Sequence, residues 1–223
     1  MGESVSAVIL AAVDESAMKS NIPVVLHPVC GRSILDYVVR AAEQIADTPP
    51  LIVAGRGGGL IGERLGTSCP LLSLEEGQVG FRGFSRAAEY MDDAPGVVFV
   101  LAGNMPLIRG AMLRDMLRYV AENDLAAAVC SGVLSEYESE TAEEDFSVYC
   151  FDRPTLRKAA GERKESGVTG YGPADILRTL AEEGKRTGTF RTGDIRDAMT
   201  VNDRFRLSEA EAVMRLRINA FHM

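Results

Sequence analysis

Short apolar runs alternate along this chain with longer stretches of helical period, and this alternation constrains the fold more than any other feature. It is typical of βαβ units and predicts an α/β domain with a mainly parallel sheet. The predicted strands cover residues 5–11, 51–54, 71–74, 97–102, 125–133, 146–151 and 188–191. The predicted helices cover residues 33–46, with Ser33 as N-cap, then 58–65, 81–91, 108–122, 154–165, 173–183 and 203–220. Arg215 and Arg217 fall near the end of the last helix, where they complement its dipole.

Charge and length limit the classes of function. The 223 residues suit a single domain over 1–223, and the formal net charge of −8 argues against non-specific binding to nucleic acid or to an anionic membrane. The sequence shows neither a signal peptide nor an apolar run of about 18 residues, so we expect a cytoplasmic protein without a membrane span. Its four cysteines are widely spaced, which makes a structural zinc site improbable.

The first predicted strand opens directly into a loop, and such loops commonly hold phosphates in α/β proteins. They are normally rich in glycine, so that backbone N–H groups can approach the anion. Here the residues after Ala11 and Ala12 are Val13, Asp14 and Glu15. The chain therefore keeps the framework of a nucleotide site while placing side chains and negative charge in the loop.

Four segments together carry a family resemblance: the ILAA strand with its following loop to LH, the AGRGGG turn, LAGNMPLI, and TVNDRFRLSEAE. They resemble the uridyltransferase domain of bifunctional N-acetylglucosamine-1-phosphate uridyltransferases and, more widely, the MobA-like sugar-phosphate nucleotidyltransferases. The resemblance implies a Rossmann-like, three-layer αβα sandwich that binds a nucleoside triphosphate at the carboxyl ends of its first strands. The implied reaction joins UTP and N-acetylglucosamine 1-phosphate to give UDP-N-acetylglucosamine and pyrophosphate, with Mg²⁺. We expect a single nucleotidyltransferase-like domain without the family's C-terminal β-helix acetyltransferase domain.

The resemblance assigns the phosphate-binding loop to Ala11, Ala12 and Val13, where the family reads L-A-A-G-x-G-T-R-M. Val13 and Glu15 replace its glycines, and Ala17 replaces its arginine. The family's P-K-x-L motif has become Pro23-Val24-Val25-Leu26, which removes a lysine. Lys19 is the cation that remains nearby, out of register with both lost residues.

The same comparison places the metal at Asn104 and Asn202, which follow two predicted strands. Asn104 stands where the family's G-D-x-P-L turn carries a magnesium-binding aspartate, after Gly103, and an amide brings no charge to a hard cation. The alternative is that both amides only hydrogen-bond loop backbone. The implied base and sugar positions are Glu75, Gly80, Phe81 and Asp175.

Two hypotheses remain. The one that we favour is a catalytically silent or much weakened relative that binds a nucleoside triphosphate, a nucleotide-sugar or a protein partner. The alternative is an active nucleotidyltransferase with an altered nucleotide or sugar, using Mg²⁺ with Asn104, Asn202, Asp175 and Lys19. The sequence names neither the base, the sugar, the partner nor the oligomeric state.

Overall fold

The computed structural model describes residues 4–12, 16–55, 57–74, 81–91, 94–131, 148–166 and 171–222. Nine strands lie in this part of the chain: β1 (Ser4–Leu10), β2 (Pro28–Val29), β3 (Arg32–Ser33), β4 (Leu51–Ala54), β5 (Leu71–Ser73), β6 (Gly96–Ala102), β7 (Ala127–Ser131), β8 (Val148–Asp152) and β9 (Thr187–Arg191). The helices of the same residues are α1 (Ile34–Glu43), α2 (Gly58–Leu65), α3 (Phe81–Tyr90), α4 (Gly110–Glu122), α5 (Arg153–Glu165), α6 (Pro173–Glu182) and α7 (Arg204–His222).

Seven strands form one sheet in the order β5-β4-β1-β6-β8-β7-β9. β1 pairs in parallel with β4 on one side and with β6 on the other, so that Val8 lies opposite both Leu51 and Val100. β8 is the antiparallel member, between β6 and β7. The expectation of a mainly parallel sheet is confirmed.

Helices cover both faces of the sheet, which confirms the three-layer αβα sandwich. Successive residues of β1 point to opposite faces, because side chains alternate along a strand. Ala7 and Ile9 join the larger apolar cluster, together with residues of α1 and α4. Val8 joins the cluster on the other face, with residues of α3, α5 and α6. The near-continuous apolar runs of the sequence thus belong to strands that are buried on both faces.

The start of α1 follows its sequence signal. Ser33 accepts a hydrogen bond from the Asp36 N–H at 3.2 Å, and the Ser33 N–H donates to the Asp36 carboxylate at 3.2 Å. This reciprocal capping box satisfies two N–H groups that the helix leaves unpaired at its first turn. The predicted N-cap is therefore confirmed.

Element boundaries differ from prediction mainly at chain reversals. The β2–β3 hairpin was not predicted, since its turn depends on Cys30 and Gly31 at positive φ rather than on apolar periodicity. Helix α4 begins at Gly110 rather than at residue 108, because Arg109 has extended dihedrals. Among the described residues, no helix is both long and apolar enough to cross a membrane.

Candidate functional site

Two neighbouring strand ends, those of β1 and β6, form the centre of the candidate site. The Gly103 N–H donates to the Leu10 carbonyl at 2.8 Å, and the Ala11 N–H donates to the Val53 carbonyl at 2.8 Å. A Cβ on Gly103 would lie 3.0 Å from the Leu10 carbonyl oxygen, so this close approach favours glycine. The predicted positions Ala11, Ala12 and Gly103 thus occur together at the carboxyl edge, where open α/β sheets bind ligands.

Asn104 and Asn202, predicted from two distant motifs, meet at this edge. The Asn104 Nδ2 group donates to the Asn202 Oδ1 atom at 2.6 Å and to the Val201 carbonyl at 3.1 Å. The Val201 N–H donates back to the Asn104 carbonyl at 2.9 Å. We call these three hydrogen bonds the Asn104 bridge. It joins the end of β6 to the segment that leads into α7.

The orientation of the Asn104 amide is set by its partners. A backbone carbonyl only accepts, so the atom that faces Val201 must be the Nδ2 donor. The opposite atom, Asn104 Oδ1, is buried and has no hydrogen-bond partner among the described residues. Asn104 itself is 3% exposed. A buried acceptor without a partner is uncommon in native proteins.

The described residues at this edge do not fit a magnesium ion held by the protein. The atom of Asn104 that faces Asn202 is a donor, and the two side chains bring no negative charge to a cation that prefers carboxylates. The part of the chain that the structure describes contains no group of three or more His, Cys, Asp or Glu residues placed to hold a metal. The assignment of a metal to Asn104 and Asn202 stays a prediction that the donor set does not support.

Val24 and Ala17, which stand where the resemblance implies a lysine and an arginine, have different surroundings. Val24 and Val25 are both 0% exposed. Val24 packs in a third apolar cluster with Met18 and Leu107. Ala17, at the position of the lost arginine, is exposed and brings no charge.

Lys19 is exposed at φ 48°, and its backbone carbonyl accepts a hydrogen bond from the Arg204 guanidinium at 3.3 Å. Arg204 also donates to the Met18 carbonyl at 3.2 Å. Arg204 is therefore a cation that contacts this loop, and the sequence motifs did not single it out. The sequence feature that could have pointed to Arg204 is its position directly after Asn202 and Asp203.

Several predicted positions are not brought to this centre. Val13, Glu75 and Gly80 lie outside the described residues, as do Asp14 and Glu15, and Phe81 begins α3 with its side chain also outside them. Asp175 instead caps α6, where its carboxylate accepts from the Gly172 N–H at 2.9 Å and pairs with Arg178 at 3.5 Å. The binding roles assigned to all of these residues stay predictions.

An ionic cluster beside the Asn104 turn was missed by sequence reasoning. It consists of Arg109, Asp194, Arg196, Asp197 and Arg217. Asp197 is 0% exposed and accepts from Arg109 Nε and Nη2 at 2.8 and 2.7 Å, and from Arg217 Nη2 at 2.8 Å. Arg217 also donates to the Leu107 carbonyl at 2.6 Å, three residues after Asn104. It therefore anchors α7 to the core, and the helix-dipole role that we expected for it stays a prediction.

The charges of this cluster stabilise one another. The hydrogen-bonded Arg196 guanidinium lowers the pKa of the Asp194 carboxyl far below its ordinary value, and Arg217 acts in the same direction. The hydrogen bond to Asp197 raises the pKa of Arg109. Two carboxylates and three guanidinium groups leave the cluster with a net positive charge. No sequence signal pointed to it, because Arg109 and Asp197 are 88 residues apart.

Comparison with known proteins agrees with this architecture. A profile of the MobA-like NTP transferase domain matches residues 7–184. The chain belongs to the MobA-like NTP transferase family. The bifunctional protein GlmU of Brevibacillus brevis is 32% identical over 98% of this chain. The match covers 53% of that protein, so the chain spans about half the length of the curated relatives it matches.

Solved structures extend the likeness of fold. A putative glucose-1-phosphate thymidylyltransferase from Bacillus anthracis superposes with a TM-score of 0.73 at 13% identity, covering 95% of this chain and 96% of that one. The Mycobacterium tuberculosis protein Rv0371c, solved in complex with manganese, superposes with a TM-score of 0.64 at 14% identity, covering 95% and 100%. At these identities the likeness concerns the fold alone. That protein was crystallised with manganese, whereas the amide pair of this chain offers no carboxylate.

Proposed function

We propose that this chain is a catalytically silent or much weakened sugar-phosphate nucleotidyltransferase-like protein that retains a ligand-binding role at the carboxyl edge of its sheet. The ligand that we favour is a nucleoside triphosphate or a nucleotide-sugar, by resemblance of the UTP and UDP-N-acetylglucosamine type. A protein partner at the same edge is the other occupant that the sequence leaves open.

The observation that carries the proposal is the burial of Val24. Transfer of a nucleotidyl group gathers negative charge on phosphate oxygens, and such enzymes depend on preorganised cations to neutralise it. Val24 stands where the family resemblance implies a phosphate-contacting lysine, and it is 0% exposed within an apolar cluster. Its side chain contributes to packing, so this position supplies no charge to a substrate.

Two further observations support weakened catalysis. Ala17 is exposed where the resemblance implies a second cation, and Asn104 directs a donor toward Asn202 where a metal-binding carboxylate is implied. Each substitution removes favourable charge from the same reaction. At an effective dielectric constant near 20, one pair of charges about 4 Å apart contributes about 4 kcal/mol, so several such losses together would slow transfer by many orders of magnitude.

Two features of this edge support retained binding. Gly103 still allows the backbone of β6 to approach that of β1 closely, and Ala11 and Ala12 keep small side chains beside it. A ligand that binds to backbone groups at a strand end needs this close approach and these small side chains. It depends less on the cations that catalysis requires.

The test combines turnover with binding. The protein is incubated with Mg²⁺, each of the four nucleoside triphosphates and a panel of sugar 1-phosphates, and released pyrophosphate is measured. We expect no release above background, together with a rise in Tm on adding at least one nucleotide or nucleotide-sugar. A ligand at about 100 times its Kd adds roughly 2.7 kcal/mol of stability.

The outcomes separate the hypotheses. Pyrophosphate release that disappears in Asn104→Ala, while that variant still unfolds cooperatively, would establish the active alternative with altered substrates. Absence of both turnover and any thermal shift would remove nucleotide binding and leave the protein partner.

A further inference from the structure

We propose that the Asn104 bridge replaces a divalent cation at this edge of the sheet, so that the edge forms without divalent metal. This inference goes beyond the proposed function, because it concerns how the two halves of the site are held together rather than whether turnover occurs. It assigns Asn104 as the residue that determines independence from metal.

The first step is geometric. Asn104 Nδ2 carries two N–H donors, and both have acceptors on the segment before α7: the Asn202 Oδ1 atom at 2.6 Å and the Val201 carbonyl at 3.1 Å. A metal ion would join these elements by binding oxygen atoms on each side. Here the amide joins them directly, since one neutral group donates to two oxygens.

The second step concerns charge. Asn104 is 3% exposed, and a carboxylate in its place would direct its oxygens at two other acceptors. Such a buried negative charge is costly unless a cation lies between the oxygens. An amide removes the negative charge and supplies the donors, so the single change from carboxylate to amide replaces both the carboxylate and its metal.

The third step concerns the surrounding carboxylates. Asp194 and Asp197 are hydrogen-bonded to the arginines of the ionic cluster. Asp203, next to Asn202, caps α7, where its Oδ1 atom accepts from the Arg206 N–H at 2.8 Å. These three acids therefore already have structural roles, and the net positive charge of the ionic cluster further disfavours a cation nearby.

The test measures thermal unfolding of wild type and variants in EDTA and in millimolar Mn²⁺, without nucleotide. We expect the Tm of wild type to be the same in both. Asn104→Asp should have a Tm lower by at least about 4 °C in EDTA, and saturating Mn²⁺ should restore much of that loss. Asn104→Ala should also lose stability, with no recovery in Mn²⁺.

Asn202→Asp is the matched control. It adds the same carboxylate to the other side of the bridge, where it still accepts the hydrogen bond from Asn104 Nδ2. We therefore expect it to fold well and to show no dependence on Mn²⁺. If Mn²⁺ raised the Tm of Asn104→Asp and of Asn202→Asp equally, the assignment to Asn104 would be overturned.

Direct binding of Mn²⁺ to wild type, measured by electron paramagnetic resonance, provides a reading even if Asn104→Asp fails to fold. The proposal would be overturned if wild type bound Mn²⁺ stoichiometrically and Asn104→Ala abolished that binding. It would also be overturned if Asn104→Asp folded but its Tm did not rise in Mn²⁺. None of these measurements involves turnover or nucleotide binding, so this inference and the proposed function can fail separately.

Discussion

Removal of the Asp197 carboxylate should destabilise this protein more than loss of any exposed ion pair. Asp197 is 0% exposed and accepts three hydrogen bonds of 2.7 to 2.8 Å from Arg109 and Arg217. The side chains of these arginines are 50% and 23% exposed, so water can rehydrate part of their charge when the carboxylate is removed. Breaking a buried pair by removing one partner costs about 3–5 kcal/mol, and this exposure favours the lower end, about 3 kcal/mol.

The assay is urea unfolding followed by circular dichroism, because the chain has no tryptophan to serve as a fluorescent probe. Asp197→Ala should lower the free energy of unfolding by about 3 kcal/mol and the Tm by about 6–12 °C in a domain of this size. Asp197→Asn, which keeps the shape and loses the charge, should give an intermediate loss.

The control is Asp115→Ala, which removes the exposed Asp115–Arg118 pair on α4. We expect a change within about 0.5 kcal/mol, as is usual for such surface pairs. If Asp197→Ala lost less than about 1 kcal/mol, the reasoning would be refuted, since the ionic cluster would then contribute no more than an ordinary surface contact.

Three other predictions follow from burial and charge. Val24→Lys should lower the free energy of unfolding by more than about 2 kcal/mol, because apolar side chains enclose residue 24. A variant that kept its stability and bound nucleotide more tightly would instead show that residue 24 faces the ligand site. The pKa of Asp194 is lowered in the folded state by the Arg196 guanidinium, so its contribution to stability is present above the unfolded value of about 3.9 and is lost as pH falls toward the folded value. Asp194→Asn should therefore flatten the decline of stability on acidification below about pH 5, and an unchanged acid-unfolding curve would contradict this. Burial raises the pKa of the Cys130 thiol to about 11, so a thiol reagent at neutral pH should modify the half-buried Cys30 well before Cys130, as mass spectrometry of the labelled peptides would show.

Much of the fold could be predicted from the sequence, because its signals are local. The apolar run of β1, the period of α1 and the capping residue Ser33 each act within one element, and the structure has them where the pattern placed them. The family resemblance also implied that Asn104 and Asn202 lie close together, since it places both at one metal site, and the structure joins them by a hydrogen bond.

The tertiary structure alone decided what these residues do to one another. Nothing in the sequence tells whether an amide presents its oxygen or its nitrogen, and it is the Val201 carbonyl that turns the Asn104 donor toward Asn202. Likewise, Asp197 and Arg217 carry no motif, yet their contact holds α7 to the core. Local patterns report which residues a helix or strand buries, whereas the pairing of polar groups far apart in sequence depends on the packed arrangement of all the elements.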